Sequence, residues 1–193
     1  MTRRTRTWLG VGAIVGVEVF LFVRYLEFGA LFHFFVHGFA GAGLAIATVV
    51  GYRLRRPGVS EPDPAAQPAS QFWVVAFVGH LAAASPDVAF LLLDLPHRGW
   101  MDAFVAHVAI HFVPVPLLTT AVVFVAGLAA LVARSYDRRR LAGACALAAL
   151  AVMSVALVAR DPLPDTLEKV RDLPGVALWC PLETADSLGG PTS

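Results

Sequence analysis

Charge is scarce in this sequence. Asp, Glu, Lys and Arg make up 15% of its 193 residues, against about 25% in a soluble domain. With 58% hydrophobic residues and a mean hydropathy of +0.69, that scarcity excludes an ordinary soluble globule. The formal net charge is only +1, and no basic stripe lies outside the short loops, so no nucleic-acid partner is expected. Cysteine is nearly missing as well. Cys145 falls in an apolar run and Cys180 in a polar stretch, with no C-x-x-C pair, so no disulfide is expected. Internal repeats are absent. No A-x-A cleavage site follows the first apolar run, which lasts to about Val23 and outruns the roughly 7–15 residues of a signal-peptide core. The run after MTRRTRTWLG is therefore read as an uncleaved first span.

What the sequence has in abundance is long apolar runs, several of them near the roughly 20 residues that cross a bilayer. Five spans are expected, at about 8–23, 29–52, 71–95, 102–133 and 141–159. The fold class is all-α: a polytopic membrane helix bundle occupying residues 1–159, followed by a polar, Pro-rich extracytoplasmic tail over 160–193. That tail carries one apolar patch, GVALWCPL (Gly175–Leu182). The loop RLRRPGVSEPDPAAQPAS between the second and third spans is too polar and Pro-rich to bury a core. Basic residues collect on the cytoplasmic side of membrane proteins. Placing the N-terminus inside puts Arg3, Arg4, Arg6, Arg53, Arg55, Arg56, Arg134, Arg138, Arg139 and Arg140 there, ten of the fifteen. The expected orientation is N-in, C-out. The Ala, Val, Gly and Arg bias points to a GC-rich prokaryotic genome, hence to a prokaryotic plasma membrane.

Polar groups gather between Gly79 and His111, which hold four of the six histidines and three of the fourteen acidic residues. An ionisable group at membrane depth is costly and marks function by default. His33 and His37 fall about 6 and 12 Å below the outer end of the second span, at 1.5 Å per residue from Gly29. His107 and His111 fall at similar depth on the fourth. His80 sits mid-membrane, Asp87 in the outer half, and Asp94, His97, Arg98 and Asp102 at the outer turn. Both His33/His37 and His107/His111 are four residues apart, the spacing that places two imidazoles on one helix face. Imidazole with carboxylate is a common ligand set for divalent metals. Pro86 removes a backbone donor beside Asp87 and frees carbonyls there. Together these residues describe a polar cavity open to the outer face.

Other features read more plainly. Gly38, Gly41 and Gly43 form a small-residue face suited to close helix packing. Glu18, mid-membrane in the first span, reads as a ligand partner, a proton carrier or a group kept neutral by burial. The fourth run, at 32 residues, would be about 48 Å of helix, well beyond a bilayer core of about 30 Å. Pro114 and Pro116 are expected to divide it into a longer spanning piece and a short outer one that is tilted, re-entrant or interfacial.

The order of blocks resembles the YdjM family of membrane-bound proteins, described as metal-dependent hydrolases. The matching residues are His37-Gly38, Ser85-Pro86-Asp87, His97-Arg98-Gly99 and, in the tail, Gly175-Val176-Ala177-Leu178-Trp179-Cys180-Pro181. The resemblance spans residues 30–182 loosely and is close only at SPD and HRG. Ala89 stands where the family has a second Asp. Met101-Asp102-Ala103 replaces the family's Thr-His-Ser, so Asp102 takes the place of a histidine. The family's later H-x-x-x-D falls on Asp161–Asp165, again with Asp for His. Carboxylate for imidazole shifts the expected metal toward Mg, Mn or Ca.

Two classes of function follow. The first is a hydrolase of the outer leaflet, with a divalent ion (Zn, Mn or Mg) held by His37, Asp87, His97, His107 and His111. Asp87, Arg98 and Asp102 would be its catalytic residues. Arg98, whose donor fork matches phosphate, would face a lipid or phosphate-ester substrate. The second is a non-enzymatic membrane protein (accessory subunit, metal or proton handler) whose histidines join helices by hydrogen bonds. The nearly apolar inner halves of the spans count against transport.

Overall fold

The computed structural model describes residues 3–27, 29–55, 70–93 and 99–162. Asp94, His97, Arg98 and the tail beyond 162, including Cys180, lie outside the described residues. All regular structure among the described residues is helical, in five α-helices: α1 (Arg3–Glu27), α2 (Leu31–Arg55), α3 (Ser70–Leu93), α4 (Pro116–Ser135) and α5 (Arg139–Val158). Each is long and apolar enough to cross a bilayer. The protein is a multi-pass membrane helix bundle. Its outward surface is hydrocarbon: Val19 and Phe20 on α1, Leu118 and Val125 on α4, and Leu147 and Val155 on α5 are all exposed.

Helix α2 is the axis, packed against all four others. Small residues let it be so. A methyl group on Gly43 would lie 2.7 Å from Cα of Phe124, and one on Gly127 would lie 2.6 Å from the Gly43 carbonyl oxygen, so α2 and α4 meet backbone to backbone. On the other side Gly41 and Gly79 approach so closely that a Cβ on either would overlap the other's carbonyl. The glycines read as one small-residue face thus serve two neighbours, Gly41 facing α3 and Gly43 facing α4. Between lipid-solvated helices such close packing supplies dispersion contact that the hydrophobic effect cannot. The main core follows from it, with Val36, Ala40, Ile46 and Val50 of α2 against Val123 and Ala130 of α4 and Ala142, Ala146 and Met153 of α5.

The contacts fix the alternation of the helices. Leu54 near the end of α2 meets Gly143 near the start of α5. Asp161, just past α5, donates its N–H to the Phe112 carbonyl at 2.9 Å. The start of α2, the end of α3 and the segment 99–115 therefore share one end of the bundle, here the histidine end. Arg53, Arg55, Arg134 and Arg138–Arg140 share the other, the arginine end.

The fourth run divides at Pro114 and Pro116 as expected, and its outer piece is not α-helix. Residues 99–115 form no α-helix. They form a five-residue 3-10 turn (Gly99–Ala103), irregular turns, and a second 3-10 turn (Ala109–Phe112), and α4 begins only at Pro116. Proline explains the boundary: Pro116 sits in the first turn of α4, where a missing N–H costs nothing, and Pro114 could not occupy a helix interior. Val108, Ala109, Ile110, Phe112 and Val113 are buried, so this stretch re-enters the bundle from the histidine end. Irregular backbone at membrane depth is tolerated where protein encloses it.

Candidate metal centre

Four elements converge at the histidine end. Helix α2 supplies His33 and His37, one turn apart on one face. Helix α3 supplies Asp87, α1 supplies Tyr25, and the re-entrant segment supplies His107 and His111. Asp87 is the hub. Its carboxylate is 0% exposed, with Oδ1 3.2 Å from His107 Nε2 and 3.9 Å from His33 Nε2. Its Oδ2 is 3.6 Å from His37 Nε2 and accepts a 2.5 Å hydrogen bond from the Tyr25 hydroxyl. A buried carboxylate needs this much compensation, because leaving water uncompensated costs several kcal/mol.

The sequence around Asp87 explains how a Pro-containing helix holds the hub. Pro86 has no N–H to offer the Ala82 carbonyl, but α3 continues through it. The Ser85 hydroxyl fills the gap, donating to Ala82 O at 2.9 Å. One residue on, the Ala83 carbonyl receives the Nδ1–H of His107 at 2.7 Å. Ser-Pro-Asp is thus a device for keeping a helix intact while its carbonyls accept side-chain donors.

His107 is aimed by backbone strain. Val105 and Ala106 adopt left-handed conformations, φ 59° and 54°, which cost non-glycine residues about 1–3 kcal/mol each. Asp102 offsets that cost. Its Oδ1 accepts the N–H groups of Val108 and Ala109, both at 2.8 Å. His107 and His111 therefore do not share a helix face as their spacing predicts. Their rings stand nearly perpendicular, 84° apart at 6.3 Å, and both point inward because the turn bends them there. His111 Nε2 meets His37 Nε2 at 3.1 Å, and its ring stacks on His33 at 3.9 Å.

His33, His37, Asp87 and His107 each offer one donor atom, and the four atoms lie within 4.8 Å of one another. Ligands about 2.0–2.1 Å from a tetrahedral ion sit about 3.4 Å apart. The imidazole nitrogens lie 3.2 and 3.9 Å from Asp87 Oδ1 and 3.6 Å from Oδ2, so the four residues could hold a divalent ion. Three imidazoles and one carboxylate suit Zn or Mn better than Mg, which demands oxygen.

Of the residues singled out in the sequence, the structure brings His37, Asp87 and His107 into this group and sets His111 against His37. Asp102 stays outside it, with its carboxylate engaged by backbone amides. His97 and Arg98 lie outside the described residues. Two members escape sequence reasoning. His33 was visible only as the partner of His37 in spacing. Tyr25 gave one signal: it lies seven residues after Glu18, just as Asp87 lies seven after His80. Those two pairs are both rungs between α1 and α3, since Glu18 meets His80 Nδ1 at 2.9 Å. Comparison of the chain with models of protein families, with curated proteins and with solved structures finds no match.

Proposed function

We propose that the protein is a membrane-embedded, metal-dependent hydrolase acting on a lipid or phosphate ester at the histidine end. One observation carries the reading. His107 gives its Nδ1–H to the Ala83 carbonyl, which points its Nε2 toward the Asp87 carboxylate 3.2 Å away. Backbone carbonyls orient metal-bound imidazoles in this way, and in this reading the Nε2 and the carboxylate are shared by a divalent cation.

His33, His37, Asp87 and His107 would hold the ion, and Tyr25 would fix the carboxylate. A bound Zn²⁺ or Mn²⁺ supplies an activated water and polarises an ester or phosphoryl oxygen. Arg98 belongs to the same proposal as the group that receives an anionic phosphate, as does kinship with the YdjM proteins. Purified protein should contain about one divalent ion. Asp87→Asn, which keeps the shape and removes the negative ligand, should lose metal and any esterase or phosphatase activity together. Wild type without metal, and no thermal shift on adding Zn²⁺ or Mn²⁺, would end this reading.

The orientation N-in, C-out is part of the proposal, with the histidine end on the outer face of a prokaryotic plasma membrane. In a cysteine-free background, Arg160→Cys should react with an impermeant thiol reagent on intact cells and Tyr136→Cys should not. The reverse pattern would turn the site to the cytoplasm.

A second reading has its own support. His33, His37, Asp87 and His107 are each 0–1% exposed, as befits a network whose job is to join helices. In that case Asp87→Asn relieves a buried charge and leaves the protein equally or more stable.

A further inference from the structure

A groove opens below the candidate metal centre, toward mid-membrane, between α1, α2 and α3 with one ring from α4. It encloses about 250 Å³, less than the roughly 300–1,000 Å³ of sites for whole drug-sized ligands. Its walls are rings: Phe34, Phe39, Trp73, Phe77 and Phe124. Its polar residues, Glu18 and His80, are engaged with each other. The mouth is on the lipid side, where Trp73 is 59% exposed.

The groove continues the centre along the same helices. Glu18 and His80 lie seven residues, about 10 Å, inward of Tyr25 and Asp87. On α2, Phe34 and Gly38 of the groove directly follow His33 and His37 of the centre. Phe34 is the wall between them, its ring edge-on to both Tyr25 at 5.6 Å and His80 at 4.9 Å.

From this adjacency we infer that the groove is a chain subsite: it receives one acyl chain of a bilayer glycerolipid, with the lipid's ester region outward, on the side of the Asp87 centre. A ring-lined slot open to hydrocarbon matches an acyl chain, and its one ionisable pair, Glu18 and His80, is already joined through His80 Nδ1. The inference rests on the hydrolase reading for the identity of the outward group, and on the groove alone for the chain.

The test uses full-length protein in phosphatidylglycerol/phosphatidylethanolamine vesicles doped with phospholipid bearing a diazirine in one acyl chain. Cross-linked residues are mapped by mass spectrometry. Label should concentrate on Phe39, Trp73 and Phe77 over Leu147 and Val155 of the outward α5 face, and more with the diazirine deep in the chain than near the ester. Ala76→Trp, which fills the groove, should bring groove label down to the α5 level while metal content stays that of wild type. Equal labelling of groove and α5 in wild type, or no depth dependence, overturns the chain subsite whatever the variant does. If metal is absent but groove label persists, the hydrolase reading fails and the chain subsite stands. Metal with uniform label gives the converse.

Discussion

Helix α2 is joined to α4 by missing side chains, whereas α1 is joined to α3 by polar ones. At the first contact Gly43 and Gly127 let two backbones touch, with an apolar core of valine, isoleucine and alanine on either side. At the second, two rungs do the work, Glu18–His80 and Tyr25–Asp87. The apolar cluster there is small: Leu21, Tyr25 and Ala30, with Phe34, Leu81 and Val88 against it. In lipid, apolar surface gains little by leaving other apolar surface, so helices associate by shape or by polar pairing. This bundle uses shape between α2 and α4 and polar pairing between α1 and α3. The shape-held part should fail by steric overlap under every condition, and the polar part should respond to metal.

The largest effect expected follows from that contrast. Gly43→Leu would drive a side chain into the Phe124 backbone, which cannot yield as a flexible side chain could. Overpacking a core commonly costs about 1–3 kcal/mol and sometimes more, and a backbone obstacle places this substitution at or above the upper end. Thermal unfolding in detergent should show a large loss that Zn²⁺ does not repair. A variant as stable as wild type would mean that α2 and α4 are not in this register.

A middle-sized effect is expected where the re-entrant segment meets the polar side. Asp102→Ala removes a carboxylate that accepts two amides and leaves the left-handed Val105–Ala106 turn unsupported. Hydrogen bonds to charged groups contribute about 1.5–3 kcal/mol, so stability should fall by about that amount. His107 would lose its aim, and loss of a supporting partner typically lowers metal affinity about 10–100-fold. Isothermal titration with Zn²⁺ measures the second quantity separately from the first. Unchanged metal affinity with lowered stability would make Asp102 a fold residue alone.

These variants also show which features the sequence made legible. Five apolar runs and the cluster of polar residues at one end follow from composition along the chain, because a bilayer demands about 20 apolar residues in a row. Four of the expected spans lie close to α1, α2, α3 and α5. The fourth run, 102–133, was expected to divide at Pro114 and Pro116, and α4 does begin at Pro116; the irregular backbone of its outer piece was not legible, since apolar residues at helical spacing also suit a buried irregular segment. The four-residue spacing of His107 and His111 misled for the same reason. Their convergence depends on a left-handed turn and on Asp102, and neither leaves a mark in spacing. Tyr25 was hidden because its partner is 62 residues away, and pairing across that distance depends on which helices become neighbours. Asp87 was legible because a carboxylate after a proline inside an apolar run has few structural excuses.

The smallest effect expected is at the deeper rung. Glu18 is partly exposed to lipid, and its bond to His80 survives in kind when the carboxylate becomes an amide, since a Gln oxygen can still accept from Nδ1–H. Polar contacts between membrane helices average about 0.6 kcal/mol, with a maximum near 1.7. Glu18→Gln should therefore cost only a few tenths of a kcal/mol. A double-mutant cycle with His80→Gln, read by thermal stability in detergent, should give a coupling of about 0.6 kcal/mol. Metal content should not change, because this rung lies two turns from the Asp87 centre and touches none of its ligands. The outer rung behaves differently if the contrast holds, since Tyr25 acts directly on the Asp87 carboxylate. A Glu18–His80 coupling larger than the whole loss from Asp102→Ala would reverse the picture, making the mid-membrane pair the principal tie between α1 and α3. A coupling of zero would leave Tyr25–Asp87 as the polar tie between α1 and α3, beside apolar contacts such as Phe22 on Phe34.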